Sequence, residues 1–130
     1  MRQINTDAKT LGRIARVVDQ KKDMIGLSLQ ACAHCSLCAD SCFKFRNSGG
    51  DSTYMPSYKA INSIGRISRT RGRLTDDEYE DIRELVWDKC VLCMRCYCPI
   101  GINIPSLIAA ARIACREKGV ARWHTTRRNA

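Results

Sequence analysis

Eight of the nine cysteines fall in two tight runs, C-A-H-C-S-L-C-A-D-S-C from Cys32 to Cys42 and C-V-L-C-M-R-C-Y-C-P from Cys90 to Pro99. Within each run three cysteines stand two residues apart: Cys32, Cys35 and Cys38 in the first, Cys90, Cys93 and Cys96 in the second. A loop with this spacing can wrap three corners of one iron–sulfur cubane. A further cysteine of the same run then lies too far round and reaches a second cluster. The expectation is an exchange of fourth ligands. Cys32, Cys35, Cys38 and Cys98 would hold one [4Fe–4S] cluster, and Cys90, Cys93, Cys96 and Cys42 the other. Structural zinc is the alternative, but it usually takes its four ligands as two pairs separated by a longer span, and neither run is built that way.

The second run has a short arm. Three residues separate Cys38 from Cys42, but Tyr97 alone separates Cys96 from Cys98. Pro99 directly after Cys98 marks Cys98 as the remote ligand. Residues i and i+2 of an extended segment point the same way, so Cys96 and Cys98 can serve different clusters only if the chain turns at Tyr97. Without that turn the first cluster keeps three cysteines and takes a [3Fe–4S] form or a foreign ligand. His34 lies inside a complete triad and is expected to be exposed or to donate to sulfur. Lys44, Arg46, Lys89 and Arg95 flank the runs, either raising cluster potentials or standing as solvated charges. Trp87 and Tyr97 are expected to cover the clusters. Cys115 lies among alanines and reads as a small buried hydrophobe.

Helices must position these runs. Leu11, Ile14, Val17 and Val18 predict a helix from Thr6 to about Lys22. Gly49, Gly50 and Pro56 mark a loop after the first run. Pro56 opens a second helix through Tyr58, Ile61, Ile64 and Ile67, with Gly72 at its end. Thr75 to Glu78 spells a capping box, and the helix it starts runs into Cys90. Pro105 begins an alanine-rich helix that Gly119 closes. No run of strands is visible, so the expected fold is all-α: a helical extension over 1–28, a cluster domain over 29–119 and a basic tail over 120–130.

The composition narrows the setting. A disulfide scaffold would scatter its cysteines to staple loops, whereas these bunch for chelation. The N-terminus lacks an apolar h-region and no apolar run reaches membrane-spanning length, so a cytoplasmic chain without a membrane span is expected. The formal net charge of +9 would be offset in part by anionic clusters, and the remainder suggests an acidic partner surface or nucleic acid. For the nucleic-acid alternative, a basic module with structural zinc or a redox-sensing cluster, the support is S-R-T-R-G-R from Ser68 to Arg73 and the Arg127-Arg128 pair. Its basic residues are dispersed, however, and no nucleic-acid-binding fold is recognisable.

The two motifs, with C-V-L-C-M-R-C-Y-C-P continuing into I-G-I-N-I-P, and the helical spacer between them resemble the helical dicluster ferredoxin module. That module forms the C subunit of heterodisulfide reductases and the N-terminal part of the related D subunit. It recurs in the sulfite-reductase-associated K subunit and in the C-terminal half of succinate dehydrogenase iron–sulfur subunits. The resemblance covers about Leu29 to Gly119. It implies an α-helical fold with two cubanes on the eight cysteines named above, passing electrons between a flavin-containing subunit and a catalytic or membrane partner. The one-residue interval before Cys98 departs from the family pattern. The chain has no Cys-Cys-Gly repeat, which holds the disulfide-reducing site in the D subunit, and no G-x-G-x-x-G fingerprint. His34 and His124 suggest no acid–base pair. The implied role is therefore a relay subunit whose turnover belongs to a partner, a flavin subunit on one side and a Cys-Cys-Gly-type catalytic subunit on the other, with peripheral membrane association only through a partner.

Overall fold

Asp7 starts the first helix, α1 (Ala8–Gln20), by accepting a hydrogen bond from the Thr10 backbone N–H at 3.0 Å, which satisfies one of the donors a helix N-terminus leaves open. The computed structural model describes residues 4 and 6–120. The tail from residue 121, with His124 and Arg127-Arg128, lies outside the described residues. Ile14 and Val18 turn the apolar stripe of α1 into the core. A second helix, α2 (Lys22–Ala31), follows after Lys21 and buries Ile25 before it delivers the chain to Cys32. The sequence carries little sign of α2, because its apolar face is weak and Gly26 interrupts it.

The first cysteine run contains two single helical turns, α3 (Leu37–Asp40) and α4 (Phe43–Arg46). Beyond the loop, the single helix expected from Pro56 to Gly72 is in fact two, α5 (Pro56–Ile61) and α6 (Ile64–Thr70). Asn62 and Ser63 make the break. The Asn62 amide donates to the Tyr58 carbonyl at 2.9 Å and the Ser63 hydroxyl to that of Ala60 at 3.4 Å. The Ala60 carbonyl is one that a further helical turn would have used, whereas the Tyr58 carbonyl also accepts the Asn62 backbone N–H at 3.0 Å. The change of direction lets Ile64 and Ile67 reach the core while Lys59 and Ala60 stay near the cysteines.

The capping box forms as the sequence predicts. Thr75 Oγ1 accepts from the Glu78 N–H at 3.2 Å, and Glu78 Oε1 accepts from the Thr75 N–H at 3.2 Å. It opens α7 (Asp76–Arg83), which then widens over Glu84–Asp88, closed by the Lys89 N–H on the Glu84 carbonyl at 3.0 Å. Such a wide turn is uncommon and concentrates near functional sites. This one ends at Asp88, two residues before Cys90.

The last helix, α8 (Ile104–Lys118), is capped by Asn103 at its start and by Gly119, φ 91°, at its end. It packs against α1, α5, α6 and α7 and is the axis of the fold. Ala110, Ala111, Ala114 and Cys115 are fully buried along it, and small side chains let the neighbouring backbones approach closely. Burial pushes the Cys115 thiol up to about 12, so it stays protonated and serves as a small core residue. There is no strand among the described residues, and the fold is all-α. No helix among them is long and apolar enough to cross a membrane.

Gly72 shows how tightly this body is built. Its φ is +89°, and a Cβ there would sit 2.7 Å from Ile14 Cγ2, beside the Tyr79 hydroxyl. That hydroxyl in turn donates to the Gly72 carbonyl at 2.6 Å. Gly72→Ala should cost roughly 2–4 kcal/mol from backbone strain plus overpacking. Gly49→Ala, at φ +75° with nothing within 4 Å, should cost only the strain, about 1 kcal/mol. Thermal unfolding of the two variants measures the difference, and equal losses would contradict the close contact with Ile14.

Candidate metal centre

Both cysteine runs bend in the same way. His34 (φ 55°) and Ser36 (φ 66°) flank Cys35 in the first run; Leu92 (φ 57°) and Met94 (φ 66°) flank Cys93 in the second. All four are non-glycine residues in the left-handed region, where a Cβ is crowded. The paired reversals curl each loop around its triad. One product is visible at Leu92, whose N–H lies 3.4 Å from Cys90 Sγ. The internal repeat in sequence is thus also a repeat of backbone shape. No glycine marks these positions, so the reversals are not legible from residue types alone.

The loops and helices enclose two separate cavities. Cys32, Cys35, Cys38 and Cys98 line the first, which is partly open to solvent, with a wall completed by Leu29, Ala60, Ile61, Ile104 and Leu107 among others. Cys42, Cys90, Cys93 and Cys96 line the second, also partly open, together with Lys44, Lys59 and Ile108. Cys38, Cys42 and Cys90 are buried, Cys32, Cys96 and Cys98 half-buried, and Cys35 and Cys93 exposed. Each cavity therefore takes three cysteines from one run and one from the other.

Cys96 and Cys98 face different cavities because the arm between them is anchored. The Tyr97 N–H donates to Ser41 Oγ at 3.0 Å, and the Ser41 hydroxyl donates to the Cys38 carbonyl at 3.1 Å. Ser41 thus ties the second run to the first between the two cavities. After Cys98 the chain reverses through Pro99 and Ile100, closed by the Gly101 N–H on the Cys98 carbonyl at 3.0 Å, with proline in the position such turns favour.

Residues of the helical body complete the site, and reading the sequence missed them. Arg112 of α8 donates to the Val86 carbonyl at 2.8 Å and to the Cys90 carbonyl at 2.7 Å, holding the entry to the second loop. Lys59 of α5 is 2% exposed. It donates to the Lys89 carbonyl at 2.8 Å, and its ammonium lies 3.8 Å from Cys42 Sγ. Of the flanking cations singled out in the sequence, Lys44 reaches the second cavity, whereas Lys89 turns to Thr53 Oγ1 at 2.7 Å and the Tyr54 ring. Arg46 and Arg95 are exposed, as is His34. The expectation that Trp87 and Tyr97 cover the clusters is not met. Trp87 lies in the core beneath Arg112 and Arg116, and Tyr97 is 59% exposed; neither lines a cavity. The wide turn before Cys90 and the anchored arm direct them elsewhere.

The donor set suits a cluster better than an ion. Among the described residues no three His, Cys, Asp or Glu side chains converge as they would around a single metal ion. Four thiols spread round a cavity with largely apolar walls fit a larger body whose corners each take one thiolate. Burial, reinforced by Cys90 and opposed by Lys59, pushes the free Cys96 thiol up to about 11, so ligation there must release a proton.

A family model, the 4Fe-4S dicluster domain, matches residues 28–102. Comparison with curated proteins and with solved structures finds no match.

Proposed function

The chain belongs to the 4Fe-4S dicluster domain family and has an iron–sulfur electron-transfer role; we propose that it fills this role as the relay subunit of a heterodisulfide-reductase-like complex. It carries two [4Fe–4S] clusters, the first on Cys32, Cys35, Cys38 and Cys98 and the second on Cys90, Cys93, Cys96 and Cys42. The observation that supports this ligand set is the grouping of the eight thiols around two cavities, each drawing one cysteine from the other run. When bound, such clusters supply reversible one-electron chemistry. The chain supplies the rest: thiolates to hold them, apolar walls to exclude water, and Ser41 and Arg112 to fix the loops. Substrate turnover belongs to a catalytic partner of the Cys-Cys-Gly type, and electrons pass to or from a flavin-containing subunit, in the cytoplasm.

Nucleic acid is the weaker reading. Of the basic residues of Ser68–Arg73 that would carry it, Arg71 is bidentate to Asp19 at 3.0 Å.

Anoxically purified protein is expected to be brown and to hold about eight iron and about eight sulfide per chain. It should copurify with a flavin-containing or Cys-Cys-Gly-type subunit at moderate salt, because a constitutive interface buries apolar area as well as charge. Zinc without acid-labile sulfide would overturn the relay. Binding to nucleic acid with a steep salt dependence, and to no protein, would overturn the complex.

A further inference from the structure

The two cavities differ in charge. Among the described residues, no Lys, Arg, Asp or Glu lines the first. The second carries Lys44 and Lys59. Lys44 is half-buried and donates to the Asp88 carbonyl at 3.3 Å. Lys59 is a different case. It is held in the core at 2% exposure, and its ammonium meets the Lys89 carbonyl and Cys42 Sγ. No carboxylate pairs with it among the described residues. A buried ammonium without a counter-ion is costly. The negative charge that balances it must come from the second cavity, from the thiolates and whatever they bind.

A cation in that place acts on electron affinity. One-electron reduction adds a negative charge, and net charge, hydrogen bonds to sulfur and solvent exposure set where a cluster's potential falls. A fixed positive charge at 3.8 Å from a ligand sulfur, with little water to screen it, favours the reduced form. Among the described residues that line the first cavity there is no lysine or arginine, and its His34 is exposed. We propose that Lys59 holds the cluster of the second site at the higher reduction potential, so that an electron entering the chain comes to rest on the Cys42, Cys90, Cys93 and Cys96 side. The relay then has a direction built into one chain: the first site receives or donates at low potential, and the second accumulates. This rests on the ligand set proposed above.

The test is a redox titration of the anoxic holoprotein followed by paramagnetic resonance, on the native chain and on Lys59→Met, Lys59→Gln and Lys59→Arg. Glutamine keeps a donor for the Lys89 carbonyl and lacks the charge; arginine keeps the charge. Both neutral variants should lower the reduction equilibrium constant of one cluster at least tenfold, which is 59 mV for a one-electron couple, and leave the other cluster within a small fraction of that. The arginine variant should stay near the native value. Lys89→Met, whose ammonium faces Thr53 and Tyr54, should shift neither cluster appreciably. Full iron content with unmoved potentials in both neutral variants would overturn the proposal. So would an arginine variant shifted as far as methionine, or loss of the second cluster from both neutral variants, which would make Lys59 an assembly residue. Failure of the ligand reading is separate: it shows in the native protein as missing iron and sulfide, before any variant is made.

Discussion

Cys42→Ser should empty the site of the other run. On the proposed ligand set, the variant loses the cluster held by Cys90, Cys93 and Cys96 and keeps the one held by Cys32, Cys35 and Cys38, so iron falls to about half and the spin–spin interaction between two reduced clusters disappears. Cys98→Ser should do the reverse, or leave its site as a [3Fe–4S] form. Half-loss alone does not say which site was emptied, and double variants do. Adding Cys93→Ser to Cys42→Ser should remove no further iron, because both act on one cluster. Adding Cys35→Ser should remove almost all of it. Mutations on one site are non-additive and mutations on separate sites add. Cys35 and Cys93 suit the test because both are exposed, so their replacement perturbs little packing. If the pairs behave the other way round, ligation is local to each run and the exchange is wrong.

Removal of both clusters should divide the molecule rather than dissolve it. The core around Ile14, Ile64, Ile67, Tyr79, Ile82, Val86 and Ala110, Ala111 and Ala114 of α8 is fully buried, and none of these residues lines either cluster cavity. The two cysteine loops have no such support. Three of their cysteines are among the few buried side chains they own. Anoxic chelation of iron should therefore leave most of the helical signal in far-ultraviolet circular dichroism. It should also abolish amide-exchange protection around both runs and lower the unfolding midpoint by at least about 10 °C, since metal binding free energy is folding free energy. Collapse of the entire helical signal would mean that the body of α1, α6, α7 and α8 does not stand on its own packing. An unchanged midpoint would mean that the cavities hold nothing the fold depends on.

Much of this was legible in the residues, and the parts that were not share a cause. The cysteine spacing pointed to cluster chemistry, and the same chemistry names the family that the chain matches over 28–102. Thr75 and Glu78 announced a helix start because capping is local. Asn62 and Ser63 did not announce a break, since Ile61, Ile64 and Ile67 continue a helical spacing across them, and only the side-chain bonds to Tyr58 and Ala60 show where the helix stops. Lys59 was passed over because a lysine among helical residues ordinarily faces water. Its burial depends on Cys42 and Lys89, which only the folded chain brings to it. Arg112 was hidden for the same reason. Lys89, by contrast, stands next to Cys90 in sequence and still points away from the second cavity. Proximity along the chain said little about which charges the site would feel.

The left-handed pairs around Cys35 and Cys93 bear on how a cofactor enters. Glycine would adopt that shape freely and let an empty loop keep it. His34, Ser36, Leu92 and Met94 each give up about 1–2 kcal/mol to hold it. On that strain an empty loop is expected to relax from its final curl, starting at the cysteine at its middle, the exposed one of its triad. Each run would then act as a flap on a packed helical body, closing as its remaining ligands bind. Loading from outside in this way requires no unfolding of α1 or α8.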